Sequence, residues 1–334
     1  MDTLRPCHSV TTDTPKAGNI GKPKTPVVGR FAPSPSGRMH LGNVFSCLVA
    51  WLSAKSQGGT VVLRIEDLDD RCRQSWSDLL MEDLEWLGLT WDKGPIYQHD
   101  RIDCYEHALD TLRGKGLVYP CFCTRSELHA ASAPHASDGT PIYTGTCRGL
   151  SAAEIAQRSV VRAPAMRLRV PSIDDPARDL IEFVDRTYGA QAEALATECG
   201  DFLVRRSDGV FAYQLAVVVD DAAMGVTEVV RGRDLLSSTP RQIYLQRLLG
   251  YPQPSYAHIP LLTAPDGRRL SKRDRDLDME GLRERFGSSE ALLGWLAGQT
   301  GLADDCSPRS PSEIVESFSW DRIRTRRDDM VVDL

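Results

Sequence analysis

Between residues 27 and 65 the chain commits itself to a parallel sheet. Val27-Val28-Gly29 reads as a short apolar strand, and it runs into the turn Arg30-Phe-Ala-Pro-Ser-Pro-Ser-Gly-Arg-Met-His-Leu-Gly-Asn43. Val44 to Ala54 is an apolar-rich helix, and Gly58-Gly59 precedes a β-branched strand, Thr60-Val-Val-Leu-Arg-Ile65. A strand, helix and strand in about 30 residues suit a βαβ crossover, which is right-handed almost without exception. Ligands of such sheets sit at the carboxyl ends of the strands, where Arg30, Ser34, Glu66 and Asp67 fall. The turn also puts His40 and Gly42 at a helix start, where N–H groups without helical partners and the dipole favour a phosphate.

A second segment, Arg269-Leu-Ser-Lys-Arg273, follows the turn Pro265-Asp-Gly267 and reads as a basic loop able to close over a triphosphate. Either segment alone is weak evidence. In this order they resemble the HIGH and KMSKS motifs of class I aminoacyl-tRNA synthetases, in the glutamate-type form. The resemblance covers residues 27 to 325 and implies an α/β fold: a Rossmann-like parallel-sheet catalytic core, a zinc-binding insertion and a small C-terminal helical region. It implies an ATP site at His40, Gly42, Asn43, Arg269, Ser271 and Lys272, with His40 and Lys272 as the catalytic pair and Mg²⁺ accompanying ATP. It further implies an L-glutamate pocket. Arg30 would clamp the side-chain carboxylate, Phe31, Ala32, Pro33 and Ser34 would be neighbouring contacts, Glu66 would take the ammonium, and Tyr213 and Arg231 would complete the pocket. A guanidinium binds a carboxylate bidentately, so a neutral amide substrate would lose a charge-assisted pair. Two departures stand out: Asn43 replaces the second HIGH histidine, and Val217 replaces an asparagine of many glutamyl-tRNA synthetases.

Cys121 and Cys123 are two apart, so on an extended strand their sulfurs point to one side; Cys147 lies 24 residues beyond Cys123, with Tyr143 four before it. Three thiolates and one further donor make a closed tetrahedral zinc site. By residue chemistry the fourth ligand is His129 or His135; the family resemblance implies Tyr143 and one structural Zn²⁺ per chain. The other cysteines have no usable spacing, and nine cysteines without an export signal indicate reduced thiols or metal ligands.

The chain divides into a disordered extension (1–25), the first half of the catalytic domain (26–118), the zinc-containing insertion and connecting segment (119–205), the second half with the KMSKS-like loop (206–275) and a helical region (276–334). Ser75 to Leu87 reads as a helix capped by Ser75 and Asp78, with Trp76, Leu79, Leu80, Leu84 and Leu87 on one core face. Residues 102 to 118 continue helically to Tyr119-Pro120, and Leu215 to Val219 and Val226 to Val230 are apolar runs. Helical pieces follow at Gln242–Leu249, Leu282–Phe286, Ala291–Leu296 and Ile314–Phe318.

No apolar run approaches the roughly 20 residues that span a bilayer, and the first 25 lack a signal's apolar core. The expectation is a cytoplasmic monomer with no membrane role. A net charge of −6 argues against nonspecific polyanion binding, although arginines cluster at 268–275 and at Arg322, Arg324, Arg326 and Arg327. The chain ends at Leu334, where full glutamyl-tRNA synthetases continue into a helical anticodon-binding domain. It therefore resembles the truncated members of the family, and Gln214 and Val217-Val-Val-Asp-Asp221 fit that version. These make glutamyl-adenylate from glutamate and ATP and transfer glutamate to queuosine at the wobble position of tRNA(Asp). A truncated synthetase charging a tRNA 3′ end, a ligase serving a small-molecule or protein amine, and a non-catalytic RNA-binding paralogue remain open.

Overall fold

The computed structural model describes residues 26–128, 142–264 and 278–332. The N-terminal unit forms as its residue pattern requires. β1 (Val28–Phe31) leads into α1 (Leu41–Lys55), and β2 (Thr60–Ile65) returns parallel to β1, with Val28 opposite Thr60 and Phe31 opposite Leu63. α2 (Gln74–Trp86) then carries the chain to β3 (Lys93–Tyr97), parallel to β2. Five of six β2 residues are buried, as expected where helices cover both faces of a parallel sheet. α1 buries Leu41, Val44, Phe45, Leu48, Val49 and Leu52 among others, because the sheet lies on one side and the C-terminal helices Met279–Phe286, Ser289–Thr300 and Pro311–Glu316 lie on the other.

α3 (Ile102–Gly114) stops before residue 118, and Tyr119-Pro120 belongs to β4 (Val118–Cys121) instead of ending a helix. β4 pairs antiparallel with β5 (Ala165–Leu168), followed by the hairpin β6 (Leu180–Asp185) and β7 (Gly189–Ala194), then β8 (Phe202–Arg205) beside β5. The apolar run at Leu215 is the middle of a helix, Tyr213–Met224, with Asp220 and Asp221 buried inside it. β9 (Glu228–Gly232) and β10 (Ser255–Ile259) are parallel, and β10 also pairs with β6.

The β1–β3 sheet and the sheet holding β9 and β10 abut where β9 meets β1: Thr227 N donates to the Val28 carbonyl (2.9 Å), and Val28 N donates to Thr227 Oγ1 (2.9 Å). Strand order therefore runs outward in opposite directions from β1 and β9, and a crevice opens above their carboxyl ends. Arg30 and Arg231 stand there on neighbouring strands.

One helix start differs from its sequence pattern. α2 begins at Gln74 after Arg73, which makes no side-chain cap; Ser75 is inside the helix, and Trp76 and Leu79 are only partly buried. Leu80, Leu84 and Leu87 carry the buried face. Among the described residues no helix is long and apolar enough to cross a membrane.

Candidate functional site

The crevice is a cleft of about 460 Å³ bounded by Arg30 to Ser34, His40, Gly42, Asn43, Glu66, Tyr213 and Arg231. The structure thus brings these ten or so sequence-separated side chains to one place. Val217, one helical turn beyond Tyr213, is buried away from it.

The helix start is more self-contained than the sequence suggests. His40 caps α1: its Nδ1 accepts the Gly42 N–H (3.1 Å), while the His40 N–H is taken by Asn43 Oδ1 (3.1 Å). Asn43 N and Val44 N both bond to the His40 carbonyl. The N–H groups expected to be available for phosphate are therefore engaged. The imidazole is folded back over the first turn instead, and with Nδ1 accepting, a neutral ring carries its proton on Nε2. Glycine at 42 gives the ring room, because a Cβ there would stand 3.0 Å from His40 Cε1 and the imidazole would have to shift by a few tenths of an ångström.

Lys272, Arg269 and Ser271 lie outside the described residues, as do His129 and His135. The described ends of the basic segment nonetheless border the cleft. Leu262 lines it, and Asp278 bridges to His40, with Met279 N donating to the Met39 carbonyl.

The two arginines differ in how well they are satisfied. Arg30 is 5% exposed; Nη1 donates to the Val230 carbonyl (2.9 Å), but Nε is buried without a hydrogen-bond partner, 3.8 Å from Asp221 Oδ1. Burial pulls this guanidinium below its ordinary range and Asp221 opposes the shift. Arg231, by contrast, spends all five N–H donors on protein: Nε on His258 Nε2 (2.9 Å), Nη1 on Tyr213 Oη (3.3 Å) and Gln242 Oε1 (2.8 Å), Nη2 on the Leu235 carbonyl (3.2 Å) and Thr239 Oγ1 (2.8 Å). Arg30 keeps a donor without a protein acceptor. Arg231 does not, and its charge reaches the cleft through Tyr213.

Glu66 sits opposite, its Oε1 held by Arg64 Nη2 (3.0 Å) and Nε (3.3 Å). Burial raises its pKa, and the Arg64 charge counteracts that. Arg64 is fully buried and also binds Asp221 Oδ1 at 2.6 Å; next to it Asp220 accepts from Arg101 Nε (2.5 Å), Tyr105 (2.8 Å) and Gln98 (2.9 Å). Sequence reasoning missed Arg64, Asp220, Asp221, Asp185 and His258. The available signal was a charge inside a buried strand and two carboxylates inside an apolar run, each of which demands a partner.

At the insertion, Cys121, Cys123 and Cys147 bring their sulfurs within 4.8 Å of one another. Tyr143 Oη lies 3.5 Å from Cys121 Sγ and 3.6 Å from Cys123 Sγ, and Cys123 Sγ lies 3.6 Å from Cys147 Sγ. A tetrahedral zinc with Zn–S of about 2.3 Å and Zn–O of about 2.0 Å requires S···S edges of about 3.8 Å and S···O edges of about 3.5 Å. The Cys123–Cys147 edge and the two Tyr143 edges fall close to those lengths, and the three sulfurs lie within 4.8 Å of one another. Burial alone would push the Cys121 thiol up, but its hydrogen bonding with Tyr143, the Cys123 backbone and Arg167 holds it below its usual range.

The C-terminal arginines are largely engaged: Arg322 with Asp304, Arg324 with Asp321 and the Arg186 carbonyl, and Arg326 with the Gln299 carbonyl.

Comparison with known proteins agrees with this architecture. Residues 26–296 match the family described as tRNA synthetases class I (E and Q), catalytic domain. The chain is 47% identical over 309 residues to the glutamyl-Q tRNA(Asp) synthetase of Nitratidesulfovibrio vulgaris, covering 89% of this chain and 94% of that protein. It is 46% identical over 308 residues to the protein of the same name from Symbiobacterium thermophilum, covering 88% and 93%. Among solved structures, a glutamate tRNA ligase from Elizabethkingia meningosepticum in complex with its amino acid superposes with a TM-score of 0.77 at 27% identity, covering 92% of this chain and 67% of that one.

Proposed function

The chain belongs to the class I tRNA synthetases of the glutamate and glutamine type, and from that premise we propose that it activates L-glutamate with ATP and transfers it to queuosine at the wobble position of tRNA(Asp). The observation that carries the amino-acid half is Arg30, a buried cation with an unpartnered Nε, facing Glu66 across a cleft that also holds the His40 helix start. The acceptor half rests on the relatives named glutamyl-Q tRNA(Asp) synthetase, whose length the chain spans almost entirely.

In the first step an α-carboxylate oxygen of glutamate forms a bond to the α-phosphorus of ATP, and the bond to the bridging oxygen breaks, releasing pyrophosphate. Arg30 takes the side-chain carboxylate and Glu66 the ammonium, with Phe31, Ala32, Pro33 and Ser34 shaping the wall and Tyr213 adding a hydroxyl. His40 Nε2–H and Lys272, aided by Arg269 and Ser271, offset charge developing on the phosphates, to which Mg²⁺ accompanies ATP. In the second step a hydroxyl of the queuosine cyclopentenediol attacks the acyl carbon, and AMP leaves with the bonding pair and takes up the hydroxyl proton. Orientation and charge neutralisation supply the rate, without a covalent enzyme intermediate. One zinc on Cys121, Cys123, Cys147 and Tyr143 would tie the insertion together structurally. A reaction on tRNA with ATP fits a monomer working in the cytoplasm.

Labelled glutamate, ATP and tRNA(Asp) carrying or lacking queuosine provide the test, with ribonuclease mapping of the labelled fragment. Label on the anticodon fragment, dependent on queuosine, is the expected result. Label on the terminal nucleotide of tRNA(Glu) would overturn the acceptor assignment, and absence of glutamate-dependent ATP–pyrophosphate exchange would overturn the enzyme reading.

A further inference from the structure

Behind Arg231 stands a buried chain of hydrogen bonds that the reaction itself does not use. His258 lies directly opposite Arg231 in the β10/β9 pairing, and β6, the other neighbour of β10, ends at Asp185. Asp185 is 1% exposed and its carboxylate is held on four sides. Oδ1 accepts from Thr187 N (2.9 Å) and Tyr188 N (3.0 Å), and Oδ2 from His258 N (3.1 Å) and His258 Nδ1 (2.7 Å).

Proton positions along this chain follow from chemistry. Arginine only donates, so His258 Nε2 accepts from Arg231 Nε. A neutral imidazole has one N–H, which therefore sits on Nδ1 and donates to Asp185. Burial pushes His258 down to about 4, with the Arg231 charge lowering it further and Asp185 opposing, so the ring is neutral at pH 7. With Nε fixed, the Arg231 fork has one orientation, and Nη1 donates to Tyr213 Oη. The Tyr213 oxygen being occupied as an acceptor, its own proton points elsewhere, and Tyr213 is the partly exposed member of the chain on the cleft wall.

We propose that Asp185 and His258 are positioning residues for glutamate recognition: they fix Arg231 so that it polarises the Tyr213 hydroxyl as a donor to a substrate carboxylate. The inference rests on the glutamate reading above and assigns the contact to Tyr213 and not to Arg231 itself. It also ties the pocket to β6, a strand of the segment that follows the cysteine cluster.

Asp185→Asn is the discriminating change. It keeps size, but turning the amide NH₂ toward His258 Nδ1 forces the ring proton to Nε2, where it opposes the Arg231 N–H. Loss of a hydrogen bond to a charged group predicts a rise of roughly tenfold or more in the KM for glutamate in ATP–pyrophosphate exchange, with the KM for ATP and kcat changed less than about threefold. Tyr213→Phe should raise the same KM, and the double variant should be no worse than the poorer single variant, since both act through one hydroxyl. An unchanged glutamate KM in Asp185→Asn, or effects that multiply in the double variant, would overturn the proposal. If the unaltered protein shows no glutamate-dependent exchange, the function reading has failed and the relay is judged separately by ¹⁵N-histidine NMR. The wild type should then show His258 protonated on Nδ1 and Asp185→Asn on Nε2; an Nε2–H tautomer in the wild type refutes the relay outright.

Discussion

Replacing Arg64 by methionine should destabilise the protein and weaken glutamate binding, although Arg64 does not line the cleft. The side chain is fully buried, binding Asp221 at 2.6 Å and Glu66 at 3.0 Å, with Asp220 at 3.9 Å. Methionine keeps an unbranched stem of similar length, so the cavity left is small and packing is a minor loss. The dominant effect is the orphaning of buried carboxylates, which costs about 3–5 kcal/mol when one partner of a buried pair is removed. At roughly 2.1 cal/mol/K per residue, a chain of this size has an unfolding entropy of about 0.7 kcal/mol/K, so a loss of about 4 kcal/mol lowers Tm by about 6 °C. Glu66 can relieve its share by taking up a proton, because burial already raises its pKa. Asp221 instead has Arg30 Nε within 3.8 Å, and that attraction draws the guanidinium away from the substrate. Thermal unfolding of Arg64→Met, and of Arg64→Met with Asp221→Asn, separates the contributions. The double variant should recover at least a third of the lost Tm, since it removes the carboxylate that had bonded Arg64 at 2.6 Å. A fall in Tm below about 1 °C for the single variant, or a double variant less stable than the single, would refute the orphaned-charge account.

Gly42→Ala should lower the rate of adenylate formation at least about tenfold with little change in Tm, because the new Cβ at 3.0 Å displaces the His40 ring while alanine favours the helix; exchange kinetics and thermal unfolding read the two effects. Metal analysis should find one zinc per chain and little in Cys121→Ser, with faster loss of metal to a chelator, since removing one of four closed ligands opens the site. His258 gives a pH signature: its folded pKa of about 4 lies below an unfolded value of 6.5, so the unfolded state binds the extra proton between them. Stability from this group is therefore full above about pH 6.5 and falls as pH drops toward 4, by about 2 kcal/mol at pH 5. Urea unfolding at pH 7 and pH 5 should show that slope in the wild type and a shallower one in His258→Phe.

What the sequence made legible was local. The strand–turn–helix from Val28 to Lys55 announces itself through β-branched and apolar periodicity, so His40, Arg30 and Glu66 could be placed at the ends of their elements. The cysteine spacing likewise gave three candidate ligands, which the fold brings together, and Tyr143 Oη falls within 3.6 Å of two of their sulfurs. Long-range polar satisfaction was not legible. Arg30 and Arg231 look equivalent as letters, yet one lacks a partner for Nε and the other has five, and those five come from four elements that meet only in the fold. The run at Leu215 carries no secondary-structure signal for a simpler reason. Five consecutive apolar residues suit a buried strand or a fully buried helix equally well, and only the packing of Tyr213–Met224 against α3 and the Thr239–Leu249 helix decides it.

That difference between the arginines bears on how the cleft recognises its substrate. A buried donor without a partner costs about 1–3 kcal/mol, and Arg30 carries one while Asp221 stays too distant for a hydrogen bond. The folded protein holds that cost because Arg64 outcompetes Arg30 for Asp221, at 2.6 Å against 3.8 Å. On the proposed function, a substrate carboxylate held by Arg30 would make a charge-assisted pair, whereas a neutral amide would offer an oxygen without the charge and bring an NH₂ that the guanidinium cannot accept. Arg231, with no donor to spare, acts on this discrimination only through the Tyr213 hydroxyl it bonds. On the proposed function, selectivity for an acid over its amide would then depend on a residue outside the pocket, because Arg64 keeps the neighbouring carboxylate Asp221 occupied and away from Arg30.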